Sequence, residues 1–330
     1  MIPLSGQPLL DARGPIVQCA VNISEGRRVN LVEEIVSAAM GHAGSVVADY
    51  SSDRDHNRLV LTLLGSPEPV GHSLLAAARR AACLLDLRQH QGAHPRMGVV
   101  DVVPFTPISL ITLRECAVLA RRVAASLAFE IGLGVYFYGA AASADRPSAL
   151  PEIRRAVGAT SRGAGIPDFH RMLPDLGEPS PALGAVVVGA RRPLVAYNIG
   201  LASGNESDAR WIAAAVRAER TTTMSLHGVR ALGLWLPTAG AAQVSLNLTR
   251  PDRTPIAVVR EQIAGMIHRR NAAVLESGRT VTEGDGEIVG LIPEAALGGH
   301  PVEDLRLPTL RETQIVERWL RGPARPVDVG

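Results

Sequence analysis

The segment from residue 88 to residue 101 carries the densest group of side chains that could do chemistry. Its candidate members are His90, His94, Arg96 and Asp101. Two histidines four residues apart can bind zinc when both lie on one face of a helix. Pro95 disfavours a helical backbone at His94, and Gly92 interrupts the turn between the histidines. The sequence therefore favours a loop without a metal over a zinc site.

A loop histidine beside Pro-Arg suits general acid–base catalysis. An imidazole with a pKa of about 6.5 exchanges protons readily at neutral pH. His94 is the candidate because Pro95 and Arg96 follow it directly. The alternative is a surface histidine that has no chemical role.

Three other segments carry polar groups beside predicted strands. The charged residues 49–58 lie between two strands, where a solvated turn is the usual structure. Residues 21–27 follow the first strand and open a helix, so their amides could hold an anion or could simply be capped. Arg191 ends a Gly-Ala-Arg segment. This segment is either a turn, or its arginine binds a carboxylate through two parallel hydrogen bonds.

Apolar periodicity predicts the elements that position these segments. In the first half the predicted strands are 16–23, 45–50, 59–64, 99–105 and 135–138, and the predicted helices are 30–40, 70–85 and 113–131. After a stretch rich in proline and glycine, the predicted strands are 185–189, 194–199, 229–236, 242–248 and 287–292, and the predicted helices are 207–219 and 255–271. A short helical piece is expected near 151–157, and Pro104 suggests a strand edge or end.

The order helix–strand–strand–helix–strand occurs in both halves, as in ferredoxin-like units. The predicted fold class is therefore α/β (α+β), with two similar subdomains in which helices cover one face of a sheet. We place the first subdomain at 1–181, including the candidate catalytic loop 88–107, and the second at 182–300. The remaining tail, 301–330, is expected to be polar, with a docking helix or a frayed end near 310–320.

Composition excludes several classes of protein. The 330 residues carry a net charge of +2 and only 3% aromatic residues, which argues against nucleic acid as a partner. No long uncharged apolar window or targeting signal is evident, so the cytoplasm is the expected location. All 34 basic residues are arginine, which excludes a Schiff-base lysine and a P-loop lysine. Three cysteines without paired spacing predict no disulfide framework.

Taken together, these segments resemble the formiminotransferase domain of glutamate formimidoyltransferase. The stretch from His90 to Pro107 matches the pattern around the family's catalytic histidine without a gap. Further matches, in chain order, are Asn22–Gly26, Asp49, Asp55–Arg58, Tyr136–Gly139, Gly189–Arg191, Ala196–Asn198, Ala242–Leu248 and Glu287–Pro293. The likeness runs from about residue 17 to residue 296, which is nearly the whole chain.

The resemblance implies two sheets that face each other across a ligand tunnel, in a cytoplasmic homodimer that acts in histidine breakdown. It implies transfer of a formimidoyl group between N5 of tetrahydrofolate, as co-substrate, and the amino group of glutamate, without a metal. His94 falls on the catalytic histidine, and Asp49 or Asp101 would orient its ring.

The resemblance also implies residues that bind the substrates. Arg58, Arg96 and Arg191 are candidates for the carboxylates of glutamate or of the folate tail. The other candidates for substrate binding are Asn22, Asn198, Gln243, Asn247 and Glu287.

One segment departs from the family pattern. Where the family has a folate-contacting stretch with two glutamates and an aromatic residue, this chain has Ala156–Ala159, which are alanine, valine and glycine. Two alternatives therefore stand beside the family's reaction. One is a transferase on the same scaffold that acts on a different amine in specialised metabolism, with weakened or lost folate binding. The other is a non-catalytic relative that serves in binding.

Overall fold

A computed structural model describes residues 2, 4, 6–92, 95–159, 167–222 and 224–322 of the chain. The chain divides into two units, each built around its own main sheet. The first unit extends to Arg192 and also takes in the segment that begins at Trp319. The second unit is Pro193–Arg318.

The first unit has a six-stranded sheet and four α-helices in its described residues. Its strands are β1 (Leu10–Asp11), β2 (Ile16–Ile23), β3 (Ser45–Asp53), β4 (Arg58–Gly65), β5 (Val100–Ser109), β6 (Gly134–Gly139), β7 (Ala185–Ala190) and β12 (Leu320–Arg321). Its helices are α1 (Val29–Ala39), α2 (Pro67–Leu84), α3 (Leu113–Phe129) and α4 (Leu150–Ala156). The sheet order is β3-β4-β2-β5-β7-β6, and β1 pairs with β12 in a separate ladder.

Helices α1, α2 and α3 share one hydrophobic core with one face of this sheet. Alternation along β2 explains the division of faces, because Val21 and Ile23 join that core while Asn22 between them points to the opposite face. Helix α3 begins with a capping box in which Thr112 accepts from the Glu115 N–H and the Glu115 carboxylate accepts from the Thr112 N–H. Burying each large apolar side chain of this core contributes about 1.5–3 kcal/mol.

The second unit has a four-stranded antiparallel sheet in the order β11-β8-β10-β9. Its elements are β8 (Val195–Ser203), α5 (Glu206–Glu219), β9 (Val229–Leu236), β10 (Ala241–Leu248), α6 (Ile256–Val274) and β11 (Thr282–Val289). Both helices pack on one face of the sheet and share its core. Short 3₁₀-helices in the described chain are Leu87–Gln89, Met224–Leu226, Leu275–Ser277, Glu294–Leu297, Val302–Leu305, Glu312–Gln314 and Val316–Trp319.

Both units contain the strand–helix–strand–strand–helix–strand order of a ferredoxin-like fold, which confirms the predicted fold class. In the first unit this order is β2-α1-β3-β4-α2-β5, to which α3, β6 and β7 are added. The predicted short helix near 151–157 is also confirmed as α4. The tunnel between two facing sheets stays a prediction.

The subdomain boundary predicted at 181/182 falls before β7, and the structure corrects it. Strand β7 pairs in parallel with both β5 and β6, so it completes the first sheet. The first unit therefore ends at Arg192.

The expected separate tail at 301–330 is also wrong for its described part. Leu305, Leu307 and Ile315 are buried in the second unit's core, and β12 pairs with β1.

Two local expectations are wrong as well. Pro104 does not mark an edge, because β5 lies between β2 and β7, with Pro104 opposite Gly189 in the parallel ladder. A ten-residue strand paired on both sides tolerates one missing N–H donor. Strand β11 begins five residues earlier than expected, since its buried positions Gly284 and Gly286 gave no apolar signal.

Candidate functional site

The loop between α2 and β5 is tied to the sheet at its C-terminal end. The Ser24 hydroxyl donates to the Gly98 carbonyl at 2.7 Å, and the Ser24 N–H donates to the Val99 carbonyl at 2.9 Å. On the other side, the Ala185 N–H at the start of β7 donates to the Met97 carbonyl at 3.0 Å. The end of β2 and the start of β7 therefore fix the position of this loop.

His94, the predicted catalytic residue, lies outside the described residues, as does Ala93. The loop is described as far as Gly92 and again from Pro95. Arg96, which is 7% exposed, donates from Nη2 to the His90 carbonyl at 2.6 Å. This contact joins the two described ends of the loop across the position of His94.

Asp101 is buried where β5 has an irregular register against β2. Its Oδ1 accepts from the Met97 N–H at 2.6 Å, and its Oδ2 accepts from Arg154 Nη2 at 2.5 Å. Arg154 comes from α4, and its side chain is only 13% exposed. Asp101 therefore links the loop, the sheet and α4. Its predicted contact with the ring of His94 stays a prediction.

Two further arginines face Asp101. Burial lowers the pKa of Arg58, and the Asp101 carboxylate opposes that shift while Arg154 adds to it. Burial likewise lowers the pKa of Arg96, again opposed by Asp101. Three guanidinium groups thus interact with the Asp101 carboxylate, and Asp53 is a second carboxylate that acts on Arg58. Arg58 Nε has no hydrogen-bond partner among the described residues. The cluster carries an excess of positive charge that suits an acidic ligand.

Asn22 and Asp49 lie on the same face of the sheet as this cluster, opposite α1–α3. Asn22 on β2 is the neighbour of Val60 and Val102 on the flanking strands. Asp49 on β3 lies opposite Thr62, is 1% exposed, and follows a register shift. The structure therefore places these two predicted residues with Arg58 and Asp101 on one face.

Arg191 follows β7, further along the sheet than Asp101. Its N–H donates to the Phe105 carbonyl at 3.0 Å, and its Nη1 donates to the Arg192 carbonyl at 3.0 Å. Burial raises the pKa of Tyr138, and the neighbouring Arg191 guanidinium partly offsets this. The Arg154 guanidinium offsets the same shift, so Arg191 and Arg154 both act on Tyr138.

Glu25 lies in the segment 21–27, whose amides are a candidate site for an anion. The Glu25 carboxylate accepts from the N–H groups of Arg27 and Arg28 at 2.8 and 2.9 Å and from Arg28 Nε at 2.6 Å. Burial alone would raise the pKa of Glu25, but these donors outweigh burial and lower it. The Glu25 carboxylate therefore binds the turn that precedes α1, and the side chain of Arg28, the N-cap residue of α1, makes no capping hydrogen bond within the described chain. Anion binding by this segment stays a prediction.

His90 lines a cavity of about 210 Å³ together with Ser24, Glu25 and Asn57. Asn57 Nδ2 lies 3.4 Å from His90 Nδ1. Burial, reinforced by the Arg96 charge and partly offset by the Ser24 backbone, lowers the pKa of His90 to about 4. The ring is therefore neutral at physiological pH.

This neutral ring predicts a pH dependence of stability. The unfolded chain binds a proton at His90 below about 6.5, whereas the folded chain binds it only below about 4. The free energy of unfolding should therefore fall as the pH falls through this window, by at most about 1.4 kcal/mol per pH unit. Urea unfolding between pH 7 and pH 4.5 should show a shallower slope for His90→Gln than for wild type. The same change at the exposed His72 serves as control, and equal slopes for all three proteins would contradict the prediction.

The second unit gathers four predicted residues on one face of its sheet. Alternate residues of β8 and β10 enter the core, so Asn198, Gln243 and Asn247 point away from α5 and α6. Glu287 on β11 lies opposite Asn198, and the Asn198 side-chain amide donates to its carboxylate at 3.2 Å. The arrangement offers amide and carboxylate groups side by side on a face where Asn198, Gln243 and Asn247 are partly exposed and Glu287 is exposed.

Arg154 and Asn57 are site residues for which the sequence predicted no role, although Asn57 lies within the matched segment Asp55–Arg58. Arg154 follows Ile153, whose burial fixes the orientation of α4. Only the packing of α4 beside β6 brings Arg154 to Asp101, and spacing along the chain gave no sign of it. Asn57 stood within a charged segment that is typical of a solvated turn, but it is only 8% exposed.

Across the described ranges, no group of three or more histidine, cysteine, aspartate or glutamate residues is arranged to hold a metal ion. None of the helices in the described chain combines the length and the apolar character needed to cross a membrane. The zinc alternative for His90 and His94 involves a residue outside the described part of the chain.

The fold and the loop define a class of protein with two ferredoxin-like units and a His-Pro-Arg loop beside a buried aspartate. Comparison with known families makes this specific. Residues 16–191 match the family described as "Formiminotransferase domain, N-terminal subdomain", and residues 196–316 match "Formiminotransferase domain". The chain belongs to the formiminotransferase domain family.

Curated relatives agree with this assignment. The chain is 32% identical over 311 residues to the glutamate formimidoyltransferase of Thermoplasma acidophilum, covering 94% of this chain and 98% of that protein. It is 32% identical over 287 residues to the glutamate formimidoyltransferase of Streptococcus pyogenes serotype M1, covering 86% and 90%. It is also 35% identical over 288 residues to the formimidoyltransferase-cyclodeaminase of Gallus gallus, covering 86% of this chain. The chain spans about half the length of that bifunctional relative, 51%.

Proposed function

We propose that the chain is an enzyme that transfers a formimidoyl group between N5 of tetrahydrofolate and the amino group of glutamate. The main support is the family match, which covers both units with the His90 to Pro107 stretch intact. The two glutamate formimidoyltransferases that the chain covers almost completely point to the same reaction.

His94 is the general acid–base in this proposal. It takes the proton from the attacking amine as the new bond to the formimidoyl carbon forms. It returns that proton to the departing nitrogen as the old carbon–nitrogen bond breaks. The proton count therefore balances, and no metal or redox step is needed. Asp49 or Asp101 would orient the ring and stabilise its cationic form.

The arginines would bind the carboxylates of the substrates. Arg58 and Arg96, with Arg154 beside them, provide the excess positive charge around Asp101. A carboxylate placed there would form charge-assisted hydrogen bonds at a largely buried position. Arg191, which lies beside Tyr138, would bind a second acidic group.

The polar face of the second unit would bind the remaining polar parts of the ligands. Asn198, Gln243, Asn247 and Glu287 offer both donors and acceptors on adjacent strands. Asn22 on the first sheet offers a further amide. Such groups match the donor and acceptor edge of a pterin ring or an amino-acid backbone.

One observation favours a second candidate, a transferase for a different amine that binds folate weakly or not at all. The segment Ala156–Ala159 supplies no polar side chain, and Val157 within it is fully buried beside Tyr136 and Ile153. A pterin edge buried against such a segment would leave polar groups unpaired, which costs binding free energy. We propose the family's reaction first because the loop with His94 and Asp101 is intact.

Incubation of the purified chain with formiminoglutamate and tetrahydrofolate tests the first candidate. Formation of formimino-tetrahydrofolate and free glutamate, followed by absorbance and mass spectrometry, is the expected result. Transfer to another amine without a folate requirement would favour the second candidate. A chain that neither turns over nor gains thermal stability with any folate or amine would support a non-catalytic binding protein. Light scattering should give the mass of two chains if the proposed homodimer forms.

A further inference from the structure

Asn57 occupies an unusual place in the turn between β3 and β4. Its backbone has φ +48°, a left-handed conformation that costs most residues free energy and that glycine adopts without penalty. It is nevertheless 8% exposed and carries a side chain that is engaged at both ends. The side-chain contacts therefore distinguish asparagine from glycine at this position.

The side-chain amide of Asn57 joins two distant segments. Its Oδ1 accepts from the Gly26 N–H at 2.9 Å, which fixes the orientation of the amide. Its Nδ2 donates to the Gln91 carbonyl at 2.9 Å and also faces His90 Nδ1. One side chain thus connects the end of β2 with the first residues of the loop that leads to His94.

The backbone of two other segments packs closely against this turn. A Cβ atom on Gly26 would lie 2.3 Å from the Asp53 carbonyl oxygen, and one on Gly92 would lie 2.3 Å from the His56 carbonyl oxygen. Both glycines therefore touch the turn directly through the backbone. Asn57 is the buried polar group at the centre of this contact.

The loop is thus anchored on both sides of His94. On the far side, Arg96 binds the His90 carbonyl, and the Met97 N–H binds Asp101. On the N-terminal side of His94, the Asn57 side chain anchors the loop by donating to the Gln91 carbonyl. Gly92 and Pro95 are the described residues nearest to His94 in the sequence, and the anchors lie within two residues of them.

We propose that Asn57 is a positioning residue, which fixes the entry of the loop through Gln91 and His90 and thereby places the imidazole of His94. The catalytic part of this inference rests on the proposed function, in which His94 is the reacting group. The anchoring part concerns only the loop and can be measured without turnover.

Hydrogen exchange of the backbone amides in residues 88–97 tests the anchoring. Asn57→Gly keeps a left-handed backbone without strain but removes both side-chain hydrogen bonds. Exchange in this segment is expected to be faster by roughly tenfold or more. The matched control is Leu110→Gly in the same unit, which also has a left-handed backbone, φ +49°, and is exposed. It should exchange like wild type in this segment, and wild-type exchange in Asn57→Gly would overturn the proposal.

Asn57→Asp separates a positioning role from a general loss of structure. The carboxylate can still accept from Gly26 but can no longer donate to Gln91, and it places a negative charge beside His90 Nδ1. The pKa of His90, followed by NMR of its ring, should rise because the carboxylate stabilises the imidazolium. Turnover should fall at least tenfold in kcat, because the loop that carries His94 loses its anchor at Gln91. KM should change less than kcat, because none of the described contacts of Asn57 involves Arg191 or the polar residues of the second unit. An unchanged pKa of His90, or a loss confined to KM, would contradict the proposal.

Separate results would contradict the proposed reaction and the positioning role of Asn57. If wild-type protein transfers no formimidoyl group to any acceptor, the proposed function is wrong, and the exchange comparison still decides whether Asn57 anchors the loop. If wild type is active and Asn57→Gly keeps both its exchange rates and its kcat, the positioning role is wrong and the proposed function stands.

Discussion

Replacement of His94 by alanine is expected to leave the protein folded and to slow formimidoyl transfer by roughly 10²- to 10⁴-fold, the usual range for loss of a general acid–base. Without the imidazole, the chain loses the group proposed to take the proton from the attacking amine and deliver it to the departing nitrogen. Steady-state turnover with formiminoglutamate and tetrahydrofolate measures the effect. The melting temperature should stay close to that of wild type, because the hydrogen bonds that anchor the loop come from Asn57, Arg96 and Asp101.

His72→Ala is the matched control for this prediction. His72 lies on the exposed side of α2 in the same unit, and its removal changes the histidine count by the same amount. Its turnover should equal that of wild type. A His94→Ala protein that kept most of the wild-type rate would remove His94 from the mechanism.

The second large effect is expected at Asp101. Asp101→Asn keeps the shape of the side chain but removes the carboxylate that pairs with Arg154 and that opposes the charges of Arg58 and Arg96. Removing one partner of a buried ion pair typically costs about 3–5 kcal/mol, because the remaining charge stays buried and uncompensated. The free energy of unfolding in urea should fall by about this amount, and turnover should fall as the anchor at Met97 loosens.

Asp11→Asn provides the comparison for Asp101. Asp11 forms an ion pair with Arg13 in the same unit, but both side chains are more than half exposed, at 53% and 89%. Water and salt screen such a pair, so the free energy of unfolding should be unchanged within error. If Asp101→Asn were as stable as wild type, the three arginines would have to be neutralised by another anion.

The local order of helices and strands could be predicted from the sequence because the apolar periodicity of both units is strong. Strand β2, with Val21 and Ile23 inside and Asn22 outside, is one example, and β9 at 229–236 was predicted with its observed bounds. The pairing of the strands could not be predicted from the sequence in the same way. Nothing in the apolar run of β7 shows that it pairs with β5 and β6, and this pairing moved the boundary to Arg192.

The candidate site was predictable where its residues are close together in sequence. The loop from His90 to Asp101 forms one such group, and the structure joins its described ends through Arg96 and Asp101. The role of Arg154 could not be predicted from the sequence, because Arg154 comes from α4 and contacts Asp101 only through tertiary packing. Arg191 directly follows β7, and its role in binding a carboxylate stays a prediction.

Chemical rescue of a His94→Gly protein tests the central claim most directly. Free imidazole added to this variant should enter the space of the missing side chain and restore part of the formimidoyl transfer rate, in proportion to its concentration. The same imidazole should leave wild type and His72→Ala unchanged. A His94→Gly protein that is inactive with or without imidazole while binding its substrates normally, or one that is fully active without imidazole, would contradict the account.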